Sequence, residues 1–426
     1  MDAATLGAVE AARLIAAGEL SAEELVRACI DRISERERLV RAWAFLDPDY
    51  AIRQARRLDR AKSPTGPLHG IPVGIKDIID TADMPTEYNS AAYRGHRPRR
   101  DAECVARLRA AGAVILGKTQ TSEFAYLHPA PTRNPHDPTH TPGGSSSGSA
   151  AGVADGMMPL ALGTQTGGST IRPASYCGAF AFKPTFHRVP VRGVKSLAAS
   201  FDTVGEIARS VEDLMLLDGV LAGEAGRPEP RAPRRALRIG YCRTPFWDQA
   251  QASTRSVLSR AARRLRASGA TVEEVELPPE FAPLSDGFYV VTGVEAVWAF
   301  GPEYRDRRPK LSPVMRRLLE DGRRIDADDV QRVREVQMHC ALAVDRLFDR
   351  YDALLTPAAP GEAEKGNALG NNVFNRPWTA LHLPCLTIPA GKGPAGLPVG
   401  VQFIGRRGTD RALLGLGQQV AGIVGG

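Results

Sequence analysis

The chain places three residues where their types and neighbours suit chemistry on a carbonyl group. Lys76 interrupts the apolar stretch "GIPVGIKDI", and Gly143-Gly144-Ser145 opens a run of small residues. Ser169 follows two glycines in "GTQTGGSTIRP", 24 residues past Ser145 and directly behind an apolar strand pattern. Successive backbone N–H groups at Thr166, Gly167, Gly168 and Ser169 can curl into a nest for a developing oxyanion. Glycines at such a turn permit positive φ and close approach of the backbone to a ligand. A single lysine on a strand is ordinarily an edge or solvated residue. A lysine, two glycine-flanked serines and an oxyanion turn together are much harder to explain by packing.

Two other motifs fail on their context. Gly144 to Gly148 matches G-x-S-x-G with Ser146 at the centre, but a nucleophile elbow follows a hydrophobic strand. Here the polar, proline-containing loop "HDPTHTP" precedes it, and the histidines downstream (His187, His339 and His382) have no catalytic setting. "GAVILGKT", residues 112 to 119, matches the phosphate-loop pattern of a nucleotide-binding module. Its interior residues Ala113 to Leu116 read as a buried strand, whereas a phosphate loop needs exposed N–H groups followed by a helix.

The set "GIPVGIKD", "PGGSSSGSAA", "GTQTGGSTIRPASYCG" and "FKPT" resembles the amidase signature family of amide hydrolases. The likeness is densest over residues 67 to 210 and continues weakly through "LPVGVQFIGR". Within the family, "KDIIDTADMPTEYNS", "YRG" and "GTQTGG" are similar to the bacterial malonamidase members. The resemblance implies a Ser-cisSer-Lys triad without a cofactor or metal: Ser169 as nucleophile, Ser145 as bridging serine and Lys76 as base. It also implies an oxyanion hole from Thr166, Gly167, Gly168 and Ser169, and a homodimer. The base must be neutral, so its pKa must fall by about three units, or ~4 kcal/mol, and burial is the physical route.

Two positions depart from the commoner family pattern: Gln165 stands where many members carry Asp, and Ser147 replaces a glycine. Arg172 lies three residues after Ser169 instead of the more frequent two, a change of ~100° in bearing on a helix. The malonamidase likeness implies that Arg172 clamps a substrate carboxylate; the alternative is a structural arginine capping nearby carbonyls. The implied substrate is a small amide, favouring a carboxylate-bearing one such as malonamate. An uncharged aliphatic or aryl amide, and the glutaminase role in a tRNA-dependent amidotransferase, are the other readings.

These residues need a scaffold, and strand-like segments alternating with helical ones predict α/β layering. The resemblance adds a large mixed β-sheet flanked by helices on both faces, in a single domain over residues 1–426. Its parts are an N-terminal helical segment (1–66), a signature core (67–210), an exposed linker (224–236) and a C-terminal lobe on the same sheet (237–426). Charged residues make up 24% and hydrophobic residues 43%, the balance of a globular protein. The net charge of +7 is scattered and lacks an aromatic-interleaved basic stripe, which argues against a nucleic-acid partner. Six dispersed cysteines with no C-x-x-C indicate neither disulfides nor zinc. The N-terminus reads as an amphipathic helix, and no stretch reaches the ~18 apolar residues of a membrane span. A reducing cytoplasm is the expected compartment.

Overall fold

A computed structural model describes residues 3–226 and 236–425. Eleven strands form one sheet. In chain order they are β1 (Trp43–Leu46), β2 (Pro72–Lys76), β3 (Val114–Thr119), β4 (Leu160–Gln165), β5 (Phe180–Lys183), β6 (Thr203–Ala208), β7 (Arg238–Cys242), β8 (Thr271–Val275), β9 (Ala353–Pro357), β10 (Cys385–Lys392) and β11 (Pro398–Ile404). Their order across the sheet is β1-β3-β2-β4-β6-β5-β10-β11-β9-β7-β8. Two parallel groups, β3-β2-β4 and β9-β7-β8, are joined through antiparallel pairings. The junction is β5 against β10, with Cys385 opposite Lys183, so strands from both ends of the chain share one sheet.

Strand side chains alternate between faces, and this distributes the core into two layers. Ile115, Leu355 and Leu386 pack with helices such as Val211–Leu221 and Asp410–Gly425 on one face. Their neighbours Val114 and Leu116, and Leu354 and Cys385, pack on the other. There the cover includes the helices Ala22–Val40, Ser147–Ala154 and Phe281–Ala299. Helices therefore cover both faces, as expected.

Ser21 caps the helix Ala22–Val40 in a capping box, with Glu24 closing it. The expected N-terminal helical segment (1–66) needs correction, because β1 lies within it and pairs with β3. β1 is four residues long and only partly buried, too short for a period-two signal. Of the predicted linker at 224–236, residues 227–235 lie outside the described residues.

Candidate active site

β2 and β4 run parallel and adjacent, so their carboxyl ends, Lys76 and Gln165, reach the same edge of the sheet. Loops beyond the carboxyl ends of parallel strands are where open α/β sheets hold ligands. Lys76 is the last residue of β2 and fully buried. Its Nζ lies 2.7 Å from Ser145 Oγ, 2.7 Å from Thr164 Oγ1 and 3.4 Å from the Thr164 carbonyl oxygen. Burial pushes the Lys76 ammonium well below the ordinary lysine range, and the negative charge of Asp202 opposes that only in part. No ion pair reaches its nitrogen among the described residues.

Ser145 follows a cis peptide bond from Gly144 and is itself fully buried. Ser146, the centre of the elbow pattern, begins the helix Ser147–Ala154. Its hydroxyl donates to the Thr164 carbonyl at 3.1 Å and accepts from the Thr164 N–H at 3.2 Å. That side chain ties the helix to β4 and faces no cavity, so its role is structural. Ser147 continues the helix without distortion, its hydroxyl 3.4 Å from the Gln120 carbonyl oxygen.

The turn from Thr166 to Ser169 is pinned entirely through its oxygens. The Thr166 hydroxyl donates to Asp202 at 2.6 Å, and the Thr379 hydroxyl donates to the Gly167 carbonyl at 3.0 Å. The Gly168 carbonyl accepts from Arg172 N–H at 3.0 Å, and the Ser169 carbonyl from Ser146 N–H at 3.1 Å. The N–H groups of these four residues donate to no described residue. An array of free donors on a pinned backbone is what stabilises a developing oxyanion. Both glycines are needed for close approach: a Cβ at Gly167 would sit 2.5 Å from Asn372 Nδ2, and one at Gly168 2.5 Å from Asn375 Oδ1. Neither has a positive φ, which corrects that part of the expectation; the left-handed residue nearby is Gly143, at φ 75°.

Gln165 ties the turn to the following helix and to Thr379. Its Oε1 accepts from the N–H groups of Thr170 and Ile171 at 3.0 and 3.1 Å, capping the helix Ile171–Cys177. Its Nε2 donates to Thr379 at 3.0 Å.

Ser169 opens into a cavity of about 500 Å³ whose walls also include Thr166, Gly167, Arg172, Phe288 and Tyr289. Lys76 and Ser145 do not reach it. Lys76 and Ser145 are thus in contact, while the Ser169 hydroxyl makes no hydrogen bond to either. Arg172 is 3% exposed and donates through Nη2 to the Gly144 carbonyl at 2.5 Å. Its Nε is buried without a partner, and burial pushes the guanidinium down to about 10. Both sequence readings of this arginine therefore have a physical counterpart: it caps a carbonyl and presents an uncompensated charge at the cavity.

Sequence reasoning passed over Thr164, Asp202 and Thr379. Thr164 carried a usable signal, since a buried lysine at the end of β2 needs polar company on the neighbouring strand. Asp202 and Thr379 reach the turn from distant segments, with nothing local to mark them. The other readings resolve simply. The phosphate-loop pattern is β3, buried throughout and not followed by an α-helix. His382 hydrogen-bonds the Ser200 carbonyl at 2.8 Å and stacks on Phe186, and burial pushes it down to about 4. His187 stacks on the same ring. Among the described residues no helix is long and apolar enough to cross a membrane.

Comparison with known proteins places the chain in a family. The family model Amidase matches residues 24–414. The chain is 34% identical to a glutamyl-tRNA(Gln) amidotransferase subunit of Chloroflexus aggregans, over 95% of this chain and 93% of that protein. It superposes on the native peptide amidase of Stenotrophomonas maltophilia with a TM-score of 0.85 and 29% identity, covering 99% and 97% of the two chains. A solved amidase superposes with a TM-score of 0.90 and 30% identity, over 99% of this chain and 100% of that one. By sequence and by fold, the chain belongs to the amidase family of amide-hydrolysing enzymes.

Proposed function

We propose that the protein hydrolyses a small carboxylate-bearing amide, such as malonamate, to the acid and ammonia through an acyl-enzyme on Ser169. One observation carries the reading. Ser169 alone of the three residues opens into the cavity, between unpartnered N–H groups and the unpaired guanidinium of Arg172. In this scheme neutral Lys76 takes a proton from Ser145, which takes one from Ser169 once that side chain rotates toward it. Hydrogen bonds in unliganded sites commonly tighten only when substrate is bound. Ser169 Oγ attacks the amide carbon, and the N–H groups of Thr166, Gly167, Gly168 and Ser169 receive the oxyanion. Ser145 returns the proton to the leaving nitrogen, Lys76 restores the proton to Ser145, and water cleaves the ester by the same relay.

Arg172 supplies the substrate preference. A guanidinium grips a carboxylate with two parallel hydrogen bonds, each worth ~1.5–3 kcal/mol. The test is ammonia release from malonamate and from an uncharged amide of similar size, with wild type, Ser169→Ala and Arg172→Met. Ser169→Ala should be inactive on both and should escape labelling by a fluorophosphonate. Arg172→Met should lose at least ~10-fold in kcat/KM on malonamate and far less on the neutral amide. Equal losses would return Arg172 to a purely structural role.

The likeness to an amidotransferase component supports a second reading, glutamine hydrolysis inside a larger assembly. Turnover by the isolated chain would count against it. We also propose a single amidase domain, assembly as a homodimer and residence in the cytoplasm. Six buried cysteines, none in a disulfide, suit a reducing compartment.

A further inference from the structure

A second guanidinium is buried beside the cavity with nothing to neutralise it. Arg376 begins the helix Arg376–Ala380 and is 8% exposed. Its Nε is buried without a hydrogen-bond partner. Its side chain forms no ion pair among the described residues. The contact it does make is to the face of Tyr289, with its Cζ 4.6 Å from the ring centroid. Tyr289 is 44% exposed and lines the same cavity as Ser169 and Arg172. Arg172 and Arg376 are close enough to repel one another. The carboxylate on this cavity wall, Glu364, is exposed and forms no ion pair with either, and its charge offsets part of the repulsion at Arg172.

Burying one unpaired cation is costly, and burying two that repel is costlier. A cation over a tyrosine face recovers part of that cost, more so when desolvated, but leaves the charge in place. The wall around Tyr289 thus carries two buried guanidinium groups against one exposed carboxylate, a charge that the described residues offset only in part. Such a wall concentrates an anion from solution.

We propose that Arg376, held under the Tyr289 ring, is a specificity-determining residue. With Arg172 it selects amides whose acyl part ends in a carboxylate, the monoamides of dicarboxylic acids. This rests on the carboxylate reading of the site given above. Arg172 makes the direct grip, and Arg376 holds the carboxylate end through the field and through the placement of Tyr289. The effect falls on binding, so it appears in KM more than in kcat.

The experiment measures kcat and KM for malonamate and propionamide with wild type, Arg376→Met, Arg376→Lys, Tyr289→Leu and Arg172→Met, each confirmed folded by thermal melting. Arg376→Met should raise KM for malonamate about 10-fold and leave propionamide within about 2-fold, while Arg376→Lys recovers most of the loss. Tyr289→Leu should show the same selective loss at about 3-fold, and it keeps the proposal testable if Arg376→Met does not fold. Parallel losses on both amides, or no loss on either, would overturn the role of Arg376. Selective loss in Arg172→Met but not in Arg376→Met would sink this inference and leave the clamp standing. Selective loss in Arg376→Met alone would sink the clamp and leave Arg376 as the anion-selecting group. Loss of selectivity in neither variant would end both.

Discussion

Two lysines lie on the neighbouring parallel strands β2 and β3, both fully buried, and they are solvated in opposite ways. Lys118 donates to the Ile79 carbonyl at 2.7 Å and to Thr86, and sits 3.4 Å from the carboxylate of Asp77. Lys76 has two hydroxyls and a distant carbonyl. Burial lowers both, but the charge of Asp77 and its hydrogen bond restrain the shift of Lys118, whereas Lys76 falls well below the lysine range with only Asp202 opposing. A buried amine given a carboxylate is held closer to its charged form. One given only hydroxyls is driven toward the neutral form, which is what a base requires. Lys118 is also the lysine of the phosphate-loop pattern, which the sequence context already set aside in favour of Lys76.

Exchanging the two fates is the largest test of this contrast. Lys76→Met should cost ~10²–10⁴-fold in kcat/KM, the usual contribution of a general base, while the melting temperature holds or rises. Lys118→Met should do the reverse. Removing one partner of a buried pair costs ~3–5 kcal/mol, so it should melt earlier while the folded fraction keeps its kcat. Adding Asp77→Asn to Lys118→Met should recover part of that stability. Equal loss of activity in the two single variants would erase the distinction.

A pH–rate profile sharpens the same contrast. In the proposed scheme the base is neutral Lys76, so kcat/KM should rise with pH and level off once the pH passes its lowered pKa. The rising limb should lie well below 10.5, in the direction burial sets. Folding is linked with the matching sign. Between the lowered and the ordinary lysine pKa the unfolded chain binds more protons, so the cost of burying Lys76 shrinks as pH rises through that window. Lys76→Met should lose the limb and flatten the stability dependence there; a limb that survives the substitution would assign the titration to another group.

The proposed triad was legible because each member sits in a local pattern: a charge inside an apolar strand, and serines beside glycines that only a close-packed turn needs. The sheet was legible where a longer strand carries an apolar run, as in β3 and β4, but not at the four-residue β1. β6 was not, because Glu206 lies buried within it and breaks the apolar run. β5 is four residues long, below the length at which alternation can be read. Asp202, Thr379, Tyr289 and Arg376 reach the site from segments far from the motif, and their types are ordinary in their own surroundings. Only the sheet order brings them together, and long-range order has no local signature. Arg172 was legible in position but not in function, because one side chain both caps Gly144 and faces the cavity.

The smallest predicted effect isolates the hydroxyl that distinguishes the surroundings of Lys76. Thr164→Val removes the oxygen 2.7 Å from Nζ while keeping the branched shape on β4. Lys76 then keeps Ser145 and the Thr164 carbonyl at 3.4 Å. A hydroxyl dipole accepting from the amine favours the charged form, so losing it should push Lys76 lower still and move the limb toward acid pH. The plateau should fall as well, about 3- to 10-fold, because Nζ loses one of the two contacts that aim it at Ser145. Thr164→Ser keeps the hydroxyl and should behave nearly as wild type in both respects. A lower plateau with the limb unmoved would mean that Thr164 only orients the amine. The limb moving toward alkaline pH would contradict the account of how two neighbouring buried lysines come to differ.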